Sequence, residues 1–221
     1  WLGSFATAFL TLAKRYHVTL IGGNISRGPL TVTTTVNGFV PTGKALLRQG
    51  AKINDDIYIT GYCGDAGLAL SLAKQNPTAI PKTLSDILYR PTPRVEVGLA
   101  LRDIAHAAID ISDGLVGDLT KLIAASGDLG ASIQASQLPL SDFLKQQCEQ
   151  TQAWKYALSD GDDFELCFCA PQTERQRIQM LAKTLKTTIT CIGQVESQTG
   201  VRIYDDKQKT IQLDQTGFEH F

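Results

Sequence analysis

In the stretch AIDISDGLVGDLTKL, residues 108–122, three aspartates and a serine fall where an apolar strand should run into a helix. Residues two apart on a strand share a face, so Asp110 and Ser112 should point the same way at the strand end. Asp113 and Gly114 would then turn the chain into the helix. Hard cations such as Mg²⁺ take oxygen ligands, commonly one or two carboxylates together with substrate phosphates. In open α/β sheets, ligands gather at the carboxyl ends of strands. A plainer use competes, in which Ser112 or Asp113 caps a helix whose apolar stripe is Leu115, Leu119, Leu122 and Ile123. Capping leaves Asp110 unexplained, because a carboxylate ending an apolar strand is costly without a partner.

A second acidic group, SDGDDFEL at 159–166, sets Asp160, Asp162, Asp163 and Glu165 around one glycine. Its order does not fit a helix–loop–helix calcium loop, and a solvated acidic turn is the alternative. GFVPTGKA matches the phosphate-loop spacing G-x-x-x-x-G-K, but Ala45 lacks the hydroxyl for Mg²⁺ and Pro41 removes an N–H from the cradle. GYCGDAG has its glycines at the wrong spacing for a dinucleotide fingerprint, although a glycine turn before a helix can leave N–H groups for an anion. His17, His106 and His220 stand in unrelated contexts, with no nucleophile motif beside them.

The elements that must position these groups follow from hydrophobic period and turn chemistry. WLGSFATAFLTLAKRY is an amphipathic helix, and HVTLIGGN and GPLTVTTTVNGFV are predicted strands. PTGKALLRQGAKIND is a loop and the candidate boundary between domains 1–40 and 41–221. Beyond it, DIYIT, AAIDI, ASIQA, FELCFCA and TITCIGQV are predicted strands. They interleave with helices over GYCGDAGLALSLAKQ, VEVGLALRDIAHA, LVGDLTKLIAAS, DFLKQQCEQ and ERQRIQMLAKTLK, and VRIYDDKQKTIQL closes as a hairpin. The fold class is α/β (α+β), a mixed sheet layered with helices.

Composition excludes several classes. The 221 residues carry 21 basic and 22 acidic side chains, so there is no basic footprint for nucleic acid and no cationic run for a membrane surface. No apolar run approaches the roughly 18 residues that span a bilayer. Five cysteines, an odd number without a C-x-x-C pair, fit a reducing cytoplasm, and Cys167 and Cys169 read as small buried hydrophobes. The chain opens without Met inside a helix and without a secretory pattern, which reads as the back part of a longer protein.

Taken in order, LIGGNISRGPLTVTTTVNGFVPTGKALLRQGAKINDDIYITG, AIDISDGLVGDL, ALSDGDDFELCF and LDQTGFEHF resemble the thiamine-monophosphate kinase family, of the aminoimidazole ribonucleotide synthetase-like superfamily. The resemblance implies a C-terminal α/β domain, with residues 1–40 as the remnant of an N-terminal ATP- and Mg²⁺-binding domain. It also implies ATP as co-substrate, several Mg²⁺ ions, thiamine monophosphate as acceptor, and a homodimer when full length. This chain alone would then be inactive. On the matching positions, Gly23 and Asn24 contact ATP, Asn24 standing where the family has a metal-binding acid. Arg48 and Ser112 are ATP contacts, and Asp110 and Asp113 hold metal. Asp162 and Phe218 are substrate contacts, Asp162 replacing a glutamate and Phe218 packing on the thiamine moiety. Asn24, Asp160 and Asp162 depart from the family's pattern. A synthetase of the same superfamily would keep the aspartates and lose the aromatic ending. A non-catalytic nucleotide or thiamine-phosphate binding module is the alternative that Asn24 favours.

Overall fold

The computed structural model describes residues 1–76 and 80–218, so Glu219, His220 and Phe221 at the end of TGFEHF lie outside the described residues. It divides into two compact units, Trp1–Pro41 and Thr42–Phe221.

The first unit holds one helix, α1 (Leu2–Arg15), along which Trp1, Phe5 and Phe9 stack at centroid distances of 5.5 and 5.9 Å. None of its residues is buried. Neither predicted strand forms over 17–41. The β-branched alternation of that stretch sets which side chains would share a face. It cannot supply the neighbouring strand that main-chain N–H and C=O groups need, and this unit contains none.

The second unit is built on a six-stranded mixed sheet in the order β2-β4-β1-β5-β3-β6. Its strands are β1 (Asp56–Thr60), β2 (Ala107–Asp110), β3 (Gly130–Gln134), β4 (Leu166–Ala170), β5 (Ile189–Glu196) and β6 (Gly200–Tyr204). All pairings are antiparallel except β3 with β6. The helices are α2 (Asp65–Gln75), α3 (Lys82–Tyr89), α4 (Val95–Leu101), α5 (Leu115–Ala125), α6 (Asp142–Gln147), α7 (Gln150–Ser159) and α8 (Arg175–Leu185).

Period-2 alternation sorts the sheet's side chains between two cores. Ile57, Ile59, Cys167 and Cys169 face one side, covered by α2, α3, α5, α6 and α7 through Leu68, Leu84, Leu119, Leu144 and Leu158. Tyr58 and Phe168 face the other side against Val97 and Leu101 of α4 and Ile178 of α8. They are direct cross-strand partners with stacked rings 5.1 Å apart. All five cysteines are free, and Cys167 and Cys169 are buried as hydrophobes. Among the described residues no helix is long and apolar enough to cross a membrane.

Several elements depart from the pattern read off the sequence. Helix α3 follows Pro81 and is not among the predicted helices, although Leu84, Ile87 and Leu88 recur at helical spacing over its eight residues. The stretch DFLKQQCEQ ends as a helix at Gln147, and a separate helix, α7, begins at Gln150. Helix α4 stops at Leu101, where the chain must turn to enter β2 as an extended strand. The terminal hairpin is reduced to strand β6 and a single bridge, Tyr204 to Thr210.

Candidate functional site

Strand β2 runs antiparallel to β4 with Asp110 opposite Leu166. The exit from β2 and the entry to β4 therefore lie at one end of the sheet, and the two acidic stretches meet there. They are laced by main-chain bonds: Asp162 N–H donates to the Ser112 carbonyl at 2.9 Å, Phe164 N–H to Ile111 at 2.9 Å, and Ile111 N–H to Glu165 at 2.8 Å. Gly161 permits this approach, since a Cβ there would collide with the Ser112 carbonyl oxygen. Asp162 sits at φ 65, a left-handed conformation that Asp tolerates better than most residues.

The C-terminal segment closes on the same loop. Gly117 N–H donates to the Thr216 carbonyl at 2.7 Å and Phe218 N–H to the Asp113 carbonyl at 2.8 Å. The Ser159 hydroxyl donates to the Gln215 carbonyl at 2.7 Å. Three segments distant in sequence, 110–114, 160–165 and 214–218, thus converge around the start of α5. Phe218 reaches that place as a residue 65% exposed.

Asp113 and Gly114 carry the chain from β2 into α5, but neither Ser112 nor Asp113 caps that helix. Gly114, at φ 130, occupies the N-cap of α5, and no side chain caps the helix from there. Asp118, from the first turn, reaches back instead. Its Oδ2 accepts from the N–H groups of Ser112, Asp113 and Gly114 at 2.9, 2.9 and 3.3 Å. This carboxylate is 1% exposed and fills the main-chain nest that an outside anion would otherwise occupy. The sequence carried a signal for it, an acid set within the apolar stripe Leu115, Leu119 and Leu122. Lys121 completes the group, its Nζ donating to Asp113 Oδ2 at 2.5 Å and to Asp118 Oδ1 at 2.9 Å. These two carboxylates, Asp113 first, raise the lysine above its ordinary pKa.

Asp110 is exposed at the strand end. The burial cost invoked for it from the sequence does not arise, because water solvates its carboxylate. Arg48 is also exposed, and its carbonyl accepts from Ser126 Oγ at the C-terminal end of α5, 3.5 Å away. An eleven-residue helix is about 16 Å long, so the Arg48 main chain lies a helix length from the Asp113 turn. Gly23 and Asn24 belong to the first unit, where both are exposed.

The stretch SDGDDFEL is more than a solvated turn. Glu165 is buried and takes a two-pronged contact from Arg94 Nε, at 2.6 Å, and NH2. The Thr60 hydroxyl adds a bond at 2.6 Å. Asp163 accepts from Gly64 N–H at 3.0 Å, so the acceptor at the glycine turn before α2 is the protein's own carboxyl group. Burial lifts Asp163 well above the ordinary carboxylate range. Donation from Gly64 and Ala66 opposes the rise, and nearby Asp65 and Glu165 reinforce it. Burial likewise raises Asp160, against the pull of Lys74. Elsewhere in this unit, Lys44 of the rejected phosphate-loop match pairs with Asp103 at 2.5 Å and no helix follows it. His106 bonds the buried Asp55 through Nδ1 at 2.8 Å.

The raised pKa of Asp163 makes a stability prediction. The folded state holds this proton more tightly than the unfolded chain, whose Asp titrates near about 3.9. Its contribution is therefore most favourable at low pH and declines as pH rises above that value toward the folded pKa. The melting temperature of Asp163→Asn minus that of the parent should accordingly grow with pH from 4 upward. A difference that stays flat from pH 4 to 8 would contradict it.

Asp110, Ser112 and Asp113, in sequence at the β2 exit, all carry hard oxygen groups. Among the described residues no three His, Cys, Asp or Glu side chains gather as a ready-made metal site. Carboxylates in ones and twos, completed by other oxygens, suit Mg²⁺ rather than a cation that demands an all-protein cage.

The chain's relatives bear on this geometry. The family model described as AIR synthase related protein, C-terminal domain, matches residues 52–206. The thiamine-monophosphate kinase of Escherichia coli K12 is 40% identical over 225 residues, an alignment spanning 100% of this chain and 69% of that protein. The crystal structure of thiamine-monophosphate kinase from Stenotrophomonas maltophilia K279a superimposes with a TM-score of 0.83 at 37% identity, covering 92% of this chain and 66% of that one. The structure of AaThiL complexed with AMPPCP and TMP does so with a TM-score of 0.64 at 32% identity, over 80% and 54% of the two chains. This chain thus spans about two thirds of the length of the first two of these relatives.

Proposed function

The chain belongs to the thiamine-monophosphate kinase family, and on that premise we propose that it forms part of an enzyme that phosphorylates thiamine monophosphate with ATP. The γ-phosphoryl group of ATP passes to the phosphate of thiamine monophosphate, giving thiamine diphosphate and ADP. The observation that carries this reading is the convergence of 110–114, 160–165 and 214–218 on one turn. The main chains of both acidic stretches and of the exposed Phe218 meet at that turn, which supports the reading.

Phosphoryl transfer asks mainly for positioning and charge neutralisation. When bound, Mg²⁺ would supply the positive charge that offsets the phosphate oxygens, and Asp110 and Asp113 would hold it. Asp118 fixes the 112–114 main chain so that Ser112 and Asp113 are presented from a set backbone. Asp162 and Phe218 contact the acceptor, and Gly23, Asn24 and Arg48 contact ATP. Asn24 offers a metal one neutral oxygen where an acid would offer a full charge. Residues 1–40 are the tail of an N-terminal domain that bears the remaining metal and ATP contacts. Residues 41–221 form the C-terminal domain, and without the rest of the N-terminal domain this chain is inactive.

The test is direct. The full-length protein, given ATP, Mg²⁺ and thiamine monophosphate, should yield thiamine diphosphate, whereas the 221-residue chain should not. Absence of product from the full-length protein would overturn the assignment.

Phe218 allows a finer check. An aromatic ring packed on a flat heteroaromatic ligand adds roughly 0.5–1.5 kcal/mol beyond area burial, about a two- to thirteenfold change in affinity. Phe218→Ala in the full-length protein should raise the KM for thiamine monophosphate by that factor and leave the KM for ATP unchanged. Phe218→Trp should retain parent values. An equal rise in both constants would mark the ring as structural.

A further inference from the structure

We propose that Lys121 is a tethered cation that holds the Asp113 carboxylate in competition with a divalent metal ion. The inference rests on the reading of Asp113 as a metal-binding residue and goes beyond it, since nothing about that role requires a lysine at this place.

The geometry is specific. Lys121 Nζ lies 2.5 Å from Asp113 Oδ2 and 2.9 Å from Asp118 Oδ1. The two contacts differ in kind. Asp118 is three residues back on the same helix, so the pairing is local to α5, and its other oxygen is fixed by three main-chain N–H groups. Asp113 lies outside the helix, eight residues back, and contact with it depends on the shape of the turn. The lysine side chain is 47% exposed. It can therefore swing away from Asp113 while keeping a resting place on Asp118.

An ammonium seated on Asp113 takes up lone pairs that a hard cation would use. It also sets a positive charge beside any metal that arrives. The cation supplied by the protein offsets one of the turn's negative charges until metal-bound phosphate replaces it, and the site then answers to metal accompanied by phosphate more than to bare metal. The displaced ammonium remains at the site, on Asp118, as a counter-charge for the incoming phosphates.

Mn²⁺ binding to the purified chain, followed by the electron paramagnetic resonance signal of the free ion, tests this with the parent, Lys121→Gln, Lys121→Met, Lys121→Arg and Asp113→Asn. Removing one positive charge a few ångströms from a doubly charged ion should tighten Mn²⁺ binding about tenfold at low salt in Lys121→Gln and Lys121→Met. The gain should shrink as KCl is added. Lys121→Arg should bind as the parent does, and Asp113→Asn should lose the site. Thermal melts identify any variant that fails to fold; Lys121→Met, which keeps the length of the stem, guards against loss of packing. Unchanged or weaker binding in both neutral variants, with the site still lost in Asp113→Asn, would make Lys121 a clamp for the turn and overturn the proposal. Mn²⁺ binding that survives Asp113→Asn would overturn the metal role of Asp113 itself, and the proposal with it.

Discussion

Asp113→Asn in the full-length protein should lower the rate of thiamine diphosphate formation about 10²-fold or more, the loss seen when one contact that stabilises transition-state charge is removed. The amide keeps the shape of the carboxylate and the main-chain bonds of the turn, including the Asp113 carbonyl that accepts from Phe218 N–H. Only the charge is lost. Because the pair with Lys121 is partly exposed, its removal should cost no more than about 1 kcal/mol of stability. The opposite profile, with turnover intact and stability reduced, would make Asp113 a structural residue of the helix entry. Kinetics at saturating Mg²⁺ run beside thermal melts separate the two, and Asp110→Asn should behave alike because its exposed carboxylate has no structural duty among the contacts described.

The second large effect concerns stability. Glu165→Ala should destabilise the fold by about 3–5 kcal/mol, the cost of removing one member of a buried ion pair. Arg94 would lose both arms of its contact, and the Thr60 hydroxyl, which also receives Leu166 N–H at 2.8 Å, would lose its acceptor. Replacing both partners, as in Arg94→Met with Glu165→Leu, should cost much less than the single change, since neither charge of the pair is left behind. Urea denaturation of the single and double variants gives the comparison. If the single variant loses less than about 1 kcal/mol, the range of an exposed pair, the contact is not the buried anchor described here.

This anchor also shows where reading by pattern fails. Glu165 stands in an acidic stretch and Arg94 in the loop RPTPR, 71 residues apart, and each alone looks like a solvated charge. Pairing across such a distance leaves no periodic trace. The same holds for Asp163, whose position beside three other acids suggests a polar turn, whereas its carboxylate closes the N-terminus of α2. The strands expected at 17–24 and 28–40 fail for a related reason. Alternation is a property of one segment, but a strand is a property of two.

What the sequence determined by itself is local and periodic. The apolar alternation of DIYIT and LCFCA, the stripe of α5 and the glycines before α2 and α5 specify strands, a helix and turns in this order. The sheet that results is mixed, with helices on both faces, and its buried cysteines follow from the same alternation. Residue types at 110–113 marked the β2 exit as a place for oxygen ligands, because the chemistry of carboxylates and hydroxyls is carried by each residue alone. Only the tertiary structure decided how these groups are held. The antiparallel pairing of β2 with β4 brings Asp162 to Ser112, and the returning C-terminal segment brings Phe218 to Asp113. Asp118, rather than a preceding Ser or Asp, supports the turn, and Lys121 rather than solvent meets Asp113. These choices depend on distances between segments set by sheet register and packing, and no single stretch of sequence contains them.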